Sequence, residues 1–346
     1  MEQSLTRREI VIAVAAVLAT TAAETEAAPA KKPYRVDLHH HMIPAKWVEE
    51  ARAHKPDNTW GPNIVGWTPA IAIEQMDRHA IAYAVTELGL PGVWWAPPAD
   101  SARLARYCND YAAQMARDYP GRFGMFATVP LPHVDETLKE IAYAYDTLHA
   151  DGIGLLTDYG DKWLGDASFE PVWEELNRRK AVMHVHPTVP DCCTRLVPDV
   201  GVAVEEYLFD TARTITSLLF SGTLTRHPDL RFIFSHAGGA FPGLSGRITR
   251  SASLTPKIKA RLPDGPAPEI AKLYFDCATS VNPVTFGALR RWTSIDRIVL
   301  GTDHPYVPMD ETVIPLDHAG LSAKDLHRIN TENAVALFPH LKKTLG

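Results

Sequence analysis

Val36-Asp37-Leu38-His39-His40-His41 sets three imidazoles in a row at the end of a short apolar stretch. Residues two apart on a strand point the same way, so His39 and His41 share one face while His40 turns to the other. Two imidazoles on one face grip one metal ion if further ligands arrive from elsewhere. Alone, such a pair is more often polar surface or satisfied core, so the case rests on three later stretches. These are His184-Val185-His186-Pro187, Ser235-His236-Ala237-Gly238-Gly239 and Gly301-Thr302-Asp303-His304-Pro305. Singly, each has a plain structural reading as a core histidine, a strand-end donor or a turn aspartate.

The elements that carry these stretches decide between the readings. Short runs rich in Val, Ile, Phe and Tyr alternate with segments of helical period, the pattern of βαβ units. Eight strands are expected, over residues 35–41, 82–89, 123–131, 152–159, 181–187, 231–238, 273–280 and 297–303. Eight parallel strands predict an α/β fold closed as a (β/α)8 TIM barrel, in which residues at the strand C-termini converge on one mouth. Strands one, five, six and eight then deliver His or Asp to the same rim, and the metal reading prevails over the bland ones.

Imidazole nitrogen and carboxylate oxygen suit borderline-soft divalent ions. His39, His41, His186 and Asp303 form such a set, with zinc the default ion and manganese the alternative. His186 is preferred to His184 because it is the last residue before Pro187 and lies nearer the rim. His236 is left for acid-base work.

The intervening helices follow from period. Leu104, Cys108, Tyr111 and Met115 make one core-facing stripe, and Leu138, Ile141, Ala142, Tyr145 and Leu148 a second. Phe169, Val172, Trp173 and Leu176 make a third, with Ser168 placed to cap it and Pro171 tolerated in its first turn. Three insertions exceed a plain barrel: 45–69 after strand one, 188–201 after strand five and 253–268 before strand seven. Loops of this length in a compact domain are usually functional or disordered.

The chain has 346 residues and a formal net charge of −6, without a long basic run, so nucleic acid is not an expected partner. Arg7 and Arg8 precede an uncharged run from Ile10 to Ala23. Residues 1–30 therefore read as a twin-arginine-like export signal leading to the periplasm, with a cytoplasmic enzyme bearing an N-terminal tail as the alternative. That run is shorter than the ~18 residues a membrane span requires, and residues 31–346 form one domain. Four cysteines make no disulfide scaffold, and the neighbours Cys192 and Cys193 pair only with strain.

With these residues placed, the sequence resembles the amidohydrolase superfamily. His-x-His on strand one, His-Pro on strand five, Ser-His-x-Gly-Gly on strand six and Gly-Thr-Asp on strand eight carry the resemblance, from Tyr34 to Phe338. It is narrower toward the aminocarboxymuconate semialdehyde and γ-resorcylate decarboxylases. The segments 154–164, 187–193 and 209–217 resemble the 6-methylsalicylate decarboxylases. The resemblance implies metal positions at His39, His41, His186 and Asp303 and a catalytic histidine at His236, with Asp303 sharing the proton transfer.

The activity this resemblance implies is a metal-dependent, non-oxidative decarboxylation of an ortho-hydroxy aromatic carboxylate, and a homodimer is compatible with it. Strand four ends in Leu156-Thr157-Asp158-Tyr159, not in the lysine that bridges two metals in binuclear relatives, and Lys162 lies past it, so one ion is expected. Arg213 and Trp95 are candidates for substrate binding. Arg213 also reads as the partner of Asp210 in an i to i+3 surface pair, and Trp94 and Trp95 as packing residues. Two other functions use the same residues: hydrolysis of a lactone or amide, and non-catalytic metal binding in the periplasm.

Overall fold

The computed structural model describes residues 33–345 apart from 56–59, 161, 195–196 and 253–254. The expected export signal lies outside the described residues. Eight parallel strands follow one another around a single sheet: β1 (Arg35–Met42), β2 (Ile81–Leu88), β3 (Phe123–Thr128), β4 (Gly152–Leu156), β5 (Val182–His186), β6 (Arg231–Phe234), β7 (Tyr274–Asp276) and β8 (Ile298–Val299). β1 closes on the segment after β8: Leu38 N–H donates to Leu300 O at 2.9 Å, Asp303 N–H to His39 O at 2.8 Å and His41 N–H to His304 O at 2.7 Å. The barrel expected from the sequence is the fold observed. Among the described residues, no helix is long and apolar enough to cross a membrane.

The three predicted apolar stripes fall on the helices Pro98–Asp118, Val134–Asp146 and Glu170–Arg178, except that Leu148 lies just past the second and Phe169 in the 3-10 turn before the third. Leu104, Cys108, Ile141, Val172, Trp173 and Leu176 are fully buried against the sheet. One cap differs from expectation. Asp166, not Ser168, starts the third of these helical segments, its carboxylate accepting from the backbone N–H and the hydroxyl of Ser168 through a 3-10 turn. The carboxylate reaches both donors from two residues upstream, which a serine inside the turn cannot do.

The strands are shorter than the apolar runs that announce them. β6 stops at Phe234 because His236 and Ala237 take positive φ in a tight turn. β4 stops at Leu156, and Asp158–Tyr159 instead pairs antiparallel with Lys162–Trp163 in a small hairpin. The insertions carry short helices of their own: Ala45–His54 and Pro62–Val65 after β1, and Pro256–Arg261 and Ala267–Ile270 before β7. After β5 the chain makes 3-10 turns at Asp191–Cys193 and Val202–Val204.

Two buried features hold this frame. Asp37, fully buried, accepts from the N–H groups of His39 and Thr302 on one oxygen and from Thr302 Oγ1 and His40 Nδ1 on the other. It thereby ties β1 to the segment after β8. On the hairpin, burial and the neighbouring Asp210 carboxyl push Asp158 up to about 8. Asp210 belongs to the helix Glu206–Ser221 and accepts from Trp163 Nε1 at 2.8 Å.

Replacing Asp37 with Ala strands several buried donors at once, and equilibrium urea unfolding is expected to show a loss of about 3 kcal/mol or more. A second expectation concerns pH. Folded Asp158 keeps a proton that the unfolded chain releases above about 4, so its contribution to stability falls as pH rises from about 4 toward 8. Asp158→Asn removes that decline: unfolding midpoints at pH 8 should rise relative to the parent while those near pH 4 stay close.

Candidate metal centre

The first strand brings His39 and His41 to the barrel mouth, β5 brings His186 and the turn after β8 brings Asp303. His39 Nε2 and His41 Nε2 lie 3.1 Å apart, and Asp303 Oδ1 lies 3.0 Å from His41 Nε2, 3.3 Å from His39 Nε2 and 4.0 Å from His186 Nε2. Bonds of about 2.0–2.1 Å in a tetrahedral zinc site place ligand atoms about 3.3 Å apart. The observed separations bracket that value. All four side chains are buried.

Their protonation fits the same purpose. His39 Nδ1 is 2.8 Å from Asp276 Oδ2 and His186 Nδ1 is 2.8 Å from Pro187 O, so both rings donate there and turn Nε2 to the cluster. Burial, with His41 and His39 nearby, holds His186 well below the usual histidine value. Burial alone would raise the Asp303 carboxyl, yet His39, His41 and His236 hold it well below the usual carboxylate range. His39 goes the other way: burial opposes its charge, but Asp276 and Asp303 raise it well above the ordinary value. Two carboxylates facing one imidazole call for a cation between them, and a divalent ion in place of that proton meets the same field.

Beside the cluster, His236 Nε2 lies 3.9 Å from Asp303 Oδ2, while its Nδ1 is 3.2 Å from both Ala278 O and Thr279 Oγ1. His236, Thr279 and Asp303 have φ of 52°, 52° and 62°. This left-handed conformation costs roughly 1–3 kcal/mol per residue and gathers at functional sites. Gly301 permits the tight approach behind them, since a Cβ there would stand 2.6 Å from His39 Cβ and 2.8 Å from Asp276 Cβ.

His186, His236 and Asp303 border a cavity of about 590 Å³. Leu90, Ala203, Val204, Tyr207, Leu208 and Val307 form its apolar wall, and Thr279, Ser280, Asn282 and Thr285 its polar one. No Lys or Arg lines it among the described residues. A coordination shell open to such a cavity is the arrangement of a reactive site, unlike a shell closed entirely by protein ligands.

Other candidates lie elsewhere. His184, a layer deeper as expected, contacts Glu87 Oε2 at 2.9 Å and Asp276 Oδ2 at 3.0 Å. His40 faces out of the barrel but is fully buried, bonded to Asp37. Arg213 does not reach the cavity. It faces Glu206 at 3.6 Å and, unlike the expected surface pair, a fully buried Asp210 at 3.8 Å, on a separate groove with Trp163, Phe209 and Leu244. Trp95 does not reach it either: its indole donates to Gly92 O at 3.1 Å and its ring stacks on His54. Trp94 borders a small separate void, and Lys162, partly exposed on the hairpin, is absent from the cavity wall. Cys192 and Cys193, expected to pair only with strain, are joined as a disulfide. Sequence reasoning missed Asp276 and Glu87, which sit inside apolar strands and give no signal in the local pattern.

A family model described as amidohydrolase matches residues 36–340. A decarboxylase of Aspergillus niger is 36% identical over 330 residues, covering 89% of this chain and 88% of the relative. The 6-methylsalicylic acid decarboxylase of Aspergillus aculeatus is 36% identical over 321 residues, covering 89% and 97%. The crystal structure of 5-carboxyvanillate decarboxylase from Novosphingobium aromaticivorans, complexed with manganese, superposes with a TM-score of 0.79 at 20% identity, covering 89% of this chain and 97% of that one.

Elemental analysis of purified protein is expected to give one divalent ion per chain, and His186→Ala to weaken its retention against a chelator by about tenfold or more. Two ions per chain, or undiminished retention, would contradict the four-ligand cluster.

Proposed function

The chain belongs to the amidohydrolase family, and from that membership we propose that it is a metal-dependent, non-oxidative carboxy-lyase acting on an ortho-hydroxy aromatic carboxylate of the 6-methylsalicylate kind. The observation that carries the proposal is the juxtaposition of the three-His, one-Asp cluster with an apolar cavity of about 590 Å³ into which His236 also faces. His39, His41, His186 and Asp303 would hold the ion. Zinc is favoured by the nitrogen-rich donors, with manganese, held by the structurally similar 5-carboxyvanillate decarboxylase, as the alternative.

When bound, a divalent ion would supply Lewis-acid charge for an anionic aromatic substrate, and among the described residues the cavity wall offers no lysine or arginine for that role. The apolar wall from Leu90 to Val307 packs the ring and keeps water from its face. The Asp303–His236 pair delivers a proton to the carbon bearing the carboxylate, with Ala278 O fixing the His236 ring through Nδ1. That protonation ends aromaticity at one carbon. The C–C bond to the carboxylate then breaks, CO₂ leaves, and the bonding pair returns to the ring.

Two further parts of the proposal have separate support. Arg7 and Arg8 support export of the folded protein to the periplasm. The apolar groove bordered by Phe209, Phe220 and Leu244 supports a homodimer.

The metal-loaded protein should release CO₂ from 6-methylsalicylate and, in D₂O, place one deuterium on the carbon that lost the carboxylate. Asp303→Asn and His236→Gln should each lower kcat by about 100-fold or more. Turnover of lactones without any CO₂ from salicylates would sink the decarboxylase reading in favour of a hydrolase.

A further inference from the structure

One buried carboxylate, outside the four-ligand cluster, touches both halves of the site. Asp276 is fully buried at the end of β7. Its Oδ2 accepts from His39 Nδ1 at 2.8 Å and from His184 Nε2 at 3.0 Å, and its Oδ1 accepts from the backbone N–H of His236 and of Ala278, both at 2.9 Å. A carboxylate offers about four lone-pair sites, and here four donors take them. His184 is held from its far side by Glu87 Oε2 at 2.9 Å, and its ring stacks on Phe126, so the carboxylate has a strut beneath it. His39, Glu87 and His184 also lie close enough to suggest a second ion, but both nitrogens of His184 are already engaged by carboxylates.

We propose that Asp276 is the positioning residue that sets metal ligation and proton transfer together. Through Oδ2 it fixes the His39 ring with Nε2 turned to the ion. Through Oδ1 it holds the strained backbone of His236 and, by way of Ala278 N–H, the carbonyl that orients the His236 imidazole. The step from ligand geometry to turnover rests on the decarboxylase reading, whereas the step from Asp276 to the ion does not.

Asn is the informative replacement. All four partners are donors, so the amide NH₂ of an asparagine faces two N–H groups in either orientation. Competition with a chromophoric chelator should show Asp276→Asn binding zinc about 10–100-fold more weakly than the parent. The cobalt-loaded variant should have an altered visible spectrum. At saturating metal, kcat should stay about tenfold or more below the parent with KM within about threefold, because His236 is displaced as well. Affinity within about threefold of the parent, with an unchanged cobalt spectrum, would overturn the proposal, since a merely structural role lowers only the melting temperature. Should the variant not fold, long-range ¹H–¹⁵N spectra of the histidine-labelled parent decide the matter. A zinc-loaded His39 protonated at Nδ1 upholds the proposal, and one protonated at Nε2 overturns it. The metal and tautomer measurements use no substrate, so they stand or fall apart from the decarboxylase reading.

Discussion

Four carboxylates, Asp37, Glu87, Asp276 and Asp303, are buried where the strands converge at the top of a closed barrel, and that burial governs the rest of the site. Removing such a group from water costs several kcal/mol unless donors or opposite charge meet its oxygens. Imidazoles do most of that work: His40 meets Asp37, His184 meets Glu87 and Asp276, His39 meets Asp276 and Asp303, and His41 meets Asp303. The resulting network leaves bare nitrogens and one carboxylate oxygen facing a common point. Its excess of negative groups gives that point its demand for a cation.

Strain has a place in the same scheme. Asp303, His236 and Thr279 take the left-handed backbone region at three separate turns around the cavity. Each is held by hydrogen bonds from elements already fixed by the barrel: Asp303 N–H to His39 O, His236 N–H to Asp276, and Thr279 N–H to Thr312 Oγ1. The barrel is therefore more than a container. Its closure between β1 and the segment after β8 supplies the partner of Asp303, the end of β7 supplies that of His236, and the helix Asp310–Asp317 that of Thr279.

The fold and the clustering of His39, His41, His186 and Asp303 were legible in the sequence because both are written locally. Strand runs end in His-x-His, His-Pro, Ser-His and Gly-Thr-Asp, and a parallel barrel converts four strand ends into one rim. That His186 joins this cluster while His184 lies a layer deeper also followed from the position of Pro187 alone. Asp276 was invisible for the opposite reason: Tyr-Phe-Asp-Cys reads as a strand, and its partner His39 stands 237 residues away. The hairpin of Asp158–Tyr159 with Lys162–Trp163 was missed because no Gly or Pro between Leu156 and Tyr159 marks where the strand ends. For Arg213 and Trp95, residue type suggested a ligand but could not say which way a helix or a loop would turn them. Carboxylate and main-chain neighbours took both.

The placement of Asp276 constrains how such a site can change. Metal affinity and proton-transfer geometry would vary independently if His39 and His236 were anchored to different elements. Here the two oxygens of one side chain anchor both, and the Glu87–His184 pair stiffens that side chain from below. The layers continue downward, with Phe126 stacking on His184 and Phe338 of the C-terminal region packing on Phe126. A substitution in that column reaches the His–Asp cluster and His236 together. The cavity wall from Ala203 to Leu208 belongs to a different part of the chain, the connection between β5 and β6. The cavity wall is then free to change through the loop after β5 while the His–Asp cluster stays fixed by the barrel.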